Sequence, residues 1–137
     1  MPEIRNVSSQ QTLQQRRATD AYNKVEQIKA LKDEKTKKEY GSLVRGLPAM
    51  ILTDGLGQAL AFLKAKAKGD ANSPHHHAYT HLSTWVTSWA GDRSADLLEL
   101  VLARSTNEYR QCTNEALAYL HWLKRFVEAA NLKSDEQ

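Results

Sequence analysis

Apolar residues recur with the 3.6-residue period of an α-helix along almost the whole chain. No segment alternates apolar and polar residues between turn signals, so the pattern predicts no β-strand. We predict an all-α fold: a single compact bundle of about six helices, formed by one domain over residues 1–137. Residues 1–9 and 133–137 are expected to be flexible ends of this domain.

The predicted helices follow from the apolar stripes and from the residues that interrupt them. Their approximate bounds are residues 10–33, 35–47, 56–68, 77–89, 94–104 and 106–130. Ser8 or Ser9 is the expected cap of the first helix, because a serine hydroxyl can accept from the free amides of the first turn. Ser105 and Glu108 form a capping-box pattern before the last helix.

The stretch from Leu47 to Lys68 carries the strongest punctuation in the chain. Pro48 is expected to end or kink the second helix because proline lacks an amide donor, which leaves 49–53 as a short helical turn. Gly55 can then end that turn with a positive φ. The following helix is apolar over most of its circumference, so it should be buried by neighbours on at least two sides.

Composition and cysteine usage narrow the class of protein. The chain has 137 residues of which 41% are apolar, enough for one domain with a real core. Its single cysteine, Cys112, cannot form an internal disulfide, which fits a reducing compartment. No signal-peptide pattern opens the chain and no apolar run is long enough to cross a membrane. We therefore expect a soluble cytoplasmic protein.

The net charge of +3 conceals an asymmetry between two parts of the chain. Residues 16–68 contain twelve Lys or Arg against six Asp or Glu, whereas residues 69–137 contain six against nine. A distribution of this kind can present a basic side to phosphates and an acidic side to another protein. Uneven scattering of solvated charges is the simpler alternative.

A histidine cluster is the first candidate for chemistry. His77 and His81 have the i, i+4 spacing that can place two imidazoles on one metal ion. A zinc enzyme would also need a third ligand and a general base, yet Asp70 and Asp92 stand at no motif spacing. Solvated imidazoles at a helix entry are therefore the preferred interpretation, and no metal site is predicted.

The remaining candidates for catalysis are weaker still. Gly55 and Gly57 precede a helix, but the other residues of a dinucleotide or Walker loop are missing, so they favour close helix packing. Cys112 lies on the buried stripe of the last helix and is interpreted as a small core residue. We predict no catalytic residues and no cofactor.

Basic residues, by contrast, are grouped by helical geometry. Arg16, Arg17 and Lys24 flank the stripe of the first helix, and Lys64 and Lys68 share one face of the third. Arg45 could join either group. A further group on the last helix comprises Arg110, His121, Lys124 and Arg125.

Cationic helix surfaces are what phosphate binding requires. Ordinary solvated faces are the alternative. The three tryptophans mostly fall on buried stripes, so we expect no aromatic stacking platform and only backbone-directed contacts to a nucleic acid.

Three segments resemble a known family. LVRGLPAMILTDGLGQALAFLKAK at 43–66 and YRQCTNEALAYLHWLKRFVEAA at 109–130, with RRATDAYNKV at 16–25, resemble the small subunit of the type III-B CRISPR effector, the Cmr RNA-silencing complex. The resemblance covers about residues 16–130. The histidine-rich stretch at 73–81 is not part of it.

This resemblance implies a helical subunit without catalytic activity that works in antiviral defence. Its implied partners are the backbone and large subunits of the Cmr complex, copies of itself, and the duplex of guide RNA with target RNA. Docking would use apolar groups near the turn at 47–57 and the acidic helices. The implied RNA-binding residues are Arg16, Arg17, Lys24, Arg45, Lys64, Lys68, Lys124 and Arg125.

Two other functions remain open at the level of sequence. One is a helix-turn-helix DNA-binding module with Gly55 in the turn and 56–68 as the recognition helix, although that helix is very apolar for a DNA groove. The other is a metal-dependent enzyme that uses His77 and His81.

Overall fold

The computed structural model describes residues 11–93 and 95–132, and within these ranges the chain forms six α-helices and no strand. The helices are α1 Leu13–Lys29, α2 Glu34–Asp54, α3 Leu56–Ala67, α4 Pro74–Trp89, α5 Leu97–Ala103 and α6 Thr106–Ala129. The prediction of an all-α fold is confirmed. The ends predicted to be flexible, 1–9 and 133–137, lie outside the described residues.

The first and last long helices both begin with a capping box. At α1 the cap is Thr12, whose hydroxyl accepts from the Gln15 amide while the Gln15 side chain accepts from the Thr12 amide. The predicted caps Ser8 and Ser9 lie outside the described residues, and the helix starts after them. At α6 the predicted box of Ser105 and Glu108 is confirmed.

Helix α2 runs continuously through Pro48, so the predicted separate turn at 49–53 is wrong. Proline removes one intrahelical hydrogen bond, at a cost of about 3 kcal/mol in a helix interior. The apolar stripe nevertheless continues across it: Leu47 and Ile51 are both buried in the core. Burial of these two side chains offsets the lost bond, because each stabilises the fold by about 1.5–3 kcal/mol.

The junction of α2 and α3 is as predicted. Gly55 has a φ of 93° and its amide donates to the Ile51 carbonyl, which ends α2. Gly57 lies so close to the Tyr109 hydroxyl that its amide donates to it at 2.7 Å. Helix α3 is then enclosed by α2, α4 and α5, as its apolar circumference requires.

Helices α4 and α5 differ from their predicted bounds. Helix α4 begins at Pro74 instead of residue 77, because Ser73 caps it by accepting from the His75 and His76 amides. Proline suits this first position since its missing donor would be unpaired there in any case. Helix α5 begins at Leu97 with Asp96 as its cap, while the predicted first residue, Ser94, is outside the described residues.

Helix α6 is the centre of the packing. It contacts α1 and α2 most extensively and also touches α4 and α5. Its buried stripe, which contains Cys112 as predicted, joins one core with side chains of the other five helices. Contacts between α1 and α6 rise together in sequence number, so the two helices are parallel; α2 runs antiparallel to α6. The chain then passes over α2, where the Leu132 carbonyl lies against Gly41.

Candidate nucleic-acid interface

The eight predicted RNA-binding residues do not converge on one site. They lie in three places: on α1 facing α6, on the α3 side of the bundle, and around Glu128 at the end of α6. Their partners differ sharply, and the partners indicate how much of each cation remains accessible to a phosphate.

Arg17 is committed to the interior. Its Nε and Nη2 donate to the two carboxylate oxygens of Glu115, both at 2.7 Å, and Glu115 is only 3% exposed. The Trp85 indole also donates to Glu115, at 2.7 Å. Hydrogen bonding to Glu115 outweighs burial and raises the pKa of Arg17. This bidentate pair connects α1, α4 and α6, which is a structural use of the residue.

Lys24 has a similar internal role, unlike Arg16. The Lys24 ammonium pairs with Asp20 at 3.1 Å, and Asp20 accepts a short hydrogen bond from the buried Tyr119 hydroxyl. Burial, together with the Asp20 charge, raises the pKa of Tyr119. Arg16 is exposed and makes no ion pair with any residue that the structure describes. Of the α1 cations, Arg16 is therefore the most available to an external anion.

On the α3 side, Lys64 is tied to the cap of α5. Its ammonium lies 3.3 Å from Asp96 and 5.1 Å from the centre of the Tyr79 ring. Burial opposes ionisation of Asp96, but hydrogen bonds from Tyr79 and Lys64 outweigh it and lower the pKa of Asp96. Lys68 ends α3 in the left-handed conformation, with a φ of 53°, and is exposed.

The third group forms a cationic cluster around Glu128. Arg45 of α2 and Arg125 of α6 each donate to this carboxylate, at 3.4 and 3.3 Å, and the Lys124 charge acts on it too. Burial disfavours the ionised carboxylate, but the two arginines outweigh this and lower the pKa of Glu128. Arg45 was expected to join the α1 or the α3 cations; it joins those of α6 instead. We call Arg45, Lys124, Arg125 and Glu128 the Glu128 cluster.

Three cations surround one carboxylate in the Glu128 cluster, so it keeps a net positive charge. Arg125 is 60% exposed there. On α6, His121 lies one turn before Arg125, and Arg110 is also exposed. The solvent-facing side of α6 is thus a cationic strip with the cluster at its end.

The histidines do not assemble a metal site. His81 is buried, and its Nδ1 lies 2.7 Å from the Tyr40 hydroxyl, so the expectation of a solvated imidazole is wrong for this residue. Burial, with Lys24 and His77 nearby, lowers the pKa of His81 to about 3. The His77 and His81 rings stack at 6.3 Å. Among the described residues, no three His, Cys, Asp or Glu side chains are placed to hold a metal ion.

The other candidates for chemistry are also explained by packing. Cys112 is buried, and burial raises the pKa of its thiol, which disfavours the nucleophilic thiolate. Helix α3, the recognition helix of the DNA-binding alternative, has Leu56, Leu60 and Leu63 fully buried. It therefore cannot enter a DNA groove without unfolding the core.

Sequence reasoning missed one exposed aromatic residue, Tyr22. It considered the tryptophans alone, whereas Tyr22 on α1 is 51% exposed and contacts Phe126 of α6. The available signal was a tyrosine at the edge of the α1 apolar stripe, between Ala21 and Asn23.

Within the described residues, no helix is both long and apolar enough to cross a bilayer. Fold and surface together define a class: a small all-α protein whose polar residues serve packing and whose exposed faces are cationic.

Comparison with known proteins then identifies the family. The profile of the family described as CRISPR-associated protein (Cas_Cmr5) matches residues 13–130. This chain belongs to that family, the small subunits of the type III-B CRISPR (Cmr) complex.

Two relatives come from Thermus thermophilus. The CRISPR system Cmr subunit Cmr5 is 35% identical over 115 residues, which cover 82% of this chain and 90% of the relative. The crystal structure of a CRISPR-associated Cmr5 family protein superposes with a TM-score of 0.67 at 28% identity. That alignment covers 90% of this chain and 100% of the crystallised one.

Proposed function

We propose that this protein is a non-catalytic subunit of a Cmr complex that holds RNA by its phosphates. The observation that carries the proposal is the Glu128 cluster, where two helices bring three cations around a single carboxylate. Membership in the Cmr5 family supplies the biological setting. The duplex of guide RNA with target RNA is the proposed ligand, and its recognition would be independent of base sequence.

The proposal ranks the eight predicted cations by accessibility. Arg125, Arg45 and Lys124 form the main contact, with the exposed Arg110 extending it along α6. Arg16 and Lys68 are exposed secondary contacts. Arg17, Lys24 and Lys64 contribute indirectly, because their ion pairs hold α1, α3 and the α5 cap in place.

The test is target-RNA binding by a reconstituted Cmr complex in which Arg110, Lys124 and Arg125 are changed to Glu. We expect the affinity to fall by more than about tenfold, since three phosphate contacts become repulsive. The matched control changes the exposed Lys32, Lys66 and Arg93 to Glu, which alters the net charge equally. Equal losses in both variants, or no loss in the first, would contradict the proposed interface.

We also propose that one end of the bundle docks to other subunits, including copies of this chain. Leu52 at the end of α2 is 74% exposed and Leu102 at the end of α5 is 71% exposed. The Gly57–Tyr109 hydrogen bond joins these two ends, because Tyr109 follows α5 closely and Gly57 follows α2. Exposed leucines on a charged surface are typical of protein contact sites.

Changing Leu52 and Leu102 to Ser tests this docking surface. We expect fewer copies of the subunit per complex by native mass spectrometry, with little change in Tm because both side chains are exposed. Changing the exposed Ala61 and Ala65 of α3 to Ser is the control. An unaltered copy number in the leucine variant would show that docking occurs elsewhere.

A further inference from the structure

Three aromatic rings form a continuous group where α1 and α6 meet at the surface. Tyr22 stands edge-on to Phe126, with ring centres 5.5 Å apart and planes at 80°. Trp122 stacks on Phe126 at 5.7 Å and 25°. Phe126 and Trp122 are partly buried, whereas Tyr22 is 51% exposed. Packing on one side therefore fixes the ring group while leaving a face of Tyr22 open.

A notch of about 150 Å³ lies beside the Tyr22 ring. Its walls are Tyr22, Val25, Phe126, Ala129 and Ala130, and its rim carries Glu26 and Lys29. These two rim residues pair with each other at 3.1 Å and so present one acceptor and one donor side by side.

The shape and chemistry of the notch restrict its occupant. It is smaller than the roughly 300 Å³ at which pockets begin to hold drug-sized ligands. Flat aromatic walls at a right angle, with a polar rim, suit one planar ring that has polar edges. A nucleobase has this form.

Charge around the notch favours a nucleic acid over an apolar protein side chain. Arg125 follows Trp122 by one turn of α6, so the Glu128 cluster adjoins the ring group. Lys29, Arg45, Lys124 and Arg125 outnumber Glu26 and Glu128 in this region. An occupant that brings phosphates to the cluster and a flat ring to the notch satisfies both features at once.

We infer that Tyr22 stacks an unpaired base of the bound RNA, with Phe126 and Trp122 holding its ring in place. The inference rests on the proposed function, since the phosphates of the same strand occupy the Glu128 cluster. The base must be unpaired because a base inside a duplex already stacks on its neighbours and cannot reach the notch. Stacking on a side chain tolerates any base, so the site selects strandedness without selecting sequence.

The test is photo-cross-linking in a reconstituted Cmr complex with target RNA that carries 5-iodouridine, followed by mass spectrometry of this subunit. We expect an adduct on Tyr22, Phe126 or Trp122. Tyr22→Leu should lower the adduct yield by about fivefold or more, because an aromatic platform contributes much of the binding of each stacked base. Tyr22→Phe should retain the adduct. Trp89→Leu, which removes a partly exposed tryptophan of α4, is the control and should leave the yield unchanged.

Two results would overturn the inference, and they are distinguishable from failure of the proposed function. If target RNA binds normally but no adduct forms at these three rings, the base site is wrong and the phosphate interface stands. If Tyr22→Leu instead releases the subunit from the complex, the notch holds a protein side chain. Failure of the proposed function would appear separately, as unchanged target affinity in the variant of Arg110, Lys124 and Arg125.

Discussion

Gly41 illustrates how a single residue determines the path of the chain. A Cβ atom at this position would lie 1.2 Å from the Leu132 carbonyl oxygen, which is backbone and cannot rotate away. Only glycine therefore lets the segment after α6 cross α2. Gly46, five residues later on the same helix, has nothing within 4 Å of its equivalent position and is exposed.

These two glycines predict opposite effects of the same substitution. Gly41→Ala should destabilise the protein by about 3 kcal/mol or more, because the segment ending at Leu132 must shift. Gly46→Ala should stabilise it by about 0.5–1 kcal/mol, since alanine restricts the unfolded chain and favours helix. Thermal unfolding of both variants provides the measurement. A neutral Gly41→Ala would mean that the segment after α6 does not pack on α2.

His81 predicts a pH dependence of stability. Tyr40 of α2, Lys24 of α1, and His76 and His77 of α4 surround it, and burial lowers its pKa to about 3 from 6.5. The unfolded state therefore binds a proton that the folded state excludes. Stability from this residue is complete above about pH 6.5 and is lost as the pH falls towards 3.

Urea unfolding at about pH 7 and about pH 5 measures this effect. His81 should account for a loss of about 2 kcal/mol between the two conditions, from linkage between the two pKa values. His81→Asn, which cannot titrate, is the control and should lose less stability over the same interval. Equal losses in the two proteins would show that other groups cause the acid sensitivity.

At the scale of elements, α1, α4 and α6 are joined by polar contacts within the core. Arg17 and Trp85 both donate to Glu115, and the Trp85 ring stacks on Tyr119 at 5.3 Å. Tyr119 in turn donates to Asp20 of α1. Such buried pairs are costly to break singly because one charge is left without a partner.

Glu115→Ala should therefore cost about 3 kcal/mol or more, since it leaves Arg17 and the Trp85 indole unpaired. Arg17→Met combined with Glu115→Gln should recover most of that loss, because glutamine still accepts from the indole and no charge remains. Denaturant unfolding of the single and double variants measures the difference. Equal stabilities of the two variants would contradict a coupled pair.

Much of the element pattern could be predicted from local signals, and the exceptions have physical causes. The α6 capping box and the turn at Gly55 depend on neighbouring residues alone. The course of α2 through Pro48 depends on burial of Leu47 and Ile51 by other helices, which periodicity along one helix does not reveal. The Ser73–Pro74 start of α4, by contrast, was local and recognisable, but it was interpreted as a loop.

The candidate site was less predictable because it depends on partners distant in sequence. Helical geometry identified Arg17 and Arg125 as equally basic surface residues. Their availability differs because Glu115 lies 98 positions from Arg17 and binds it in the interior, whereas Arg125 pairs with Glu128 in solvent. Arg45 reaches the same carboxylate across 83 positions. No spacing rule anticipates contacts of this range.

At the scale of the whole molecule, one end and one face have different roles in the account. The α2 and α5 ends present leucines for docking, and the exposed side of α6 presents cations for RNA. The α1–α4–α6 contacts keep these surfaces in a fixed relation. This division suits a subunit whose contribution to a Cmr complex is to position RNA.

The salt dependence of target-RNA binding tests this account most directly. The logarithm of the affinity should fall linearly with the logarithm of salt concentration, and each phosphate contact adds to the slope. In a reconstituted Cmr complex, changing Arg110, Lys124 and Arg125 to Gln should reduce the slope by about 2–3 per copy that contacts the RNA. Changing Lys32, Lys66 and Arg93 to Gln should leave it unaltered. The same slope in the wild-type complex and in the first variant would contradict the claim that this face of α6 holds the RNA.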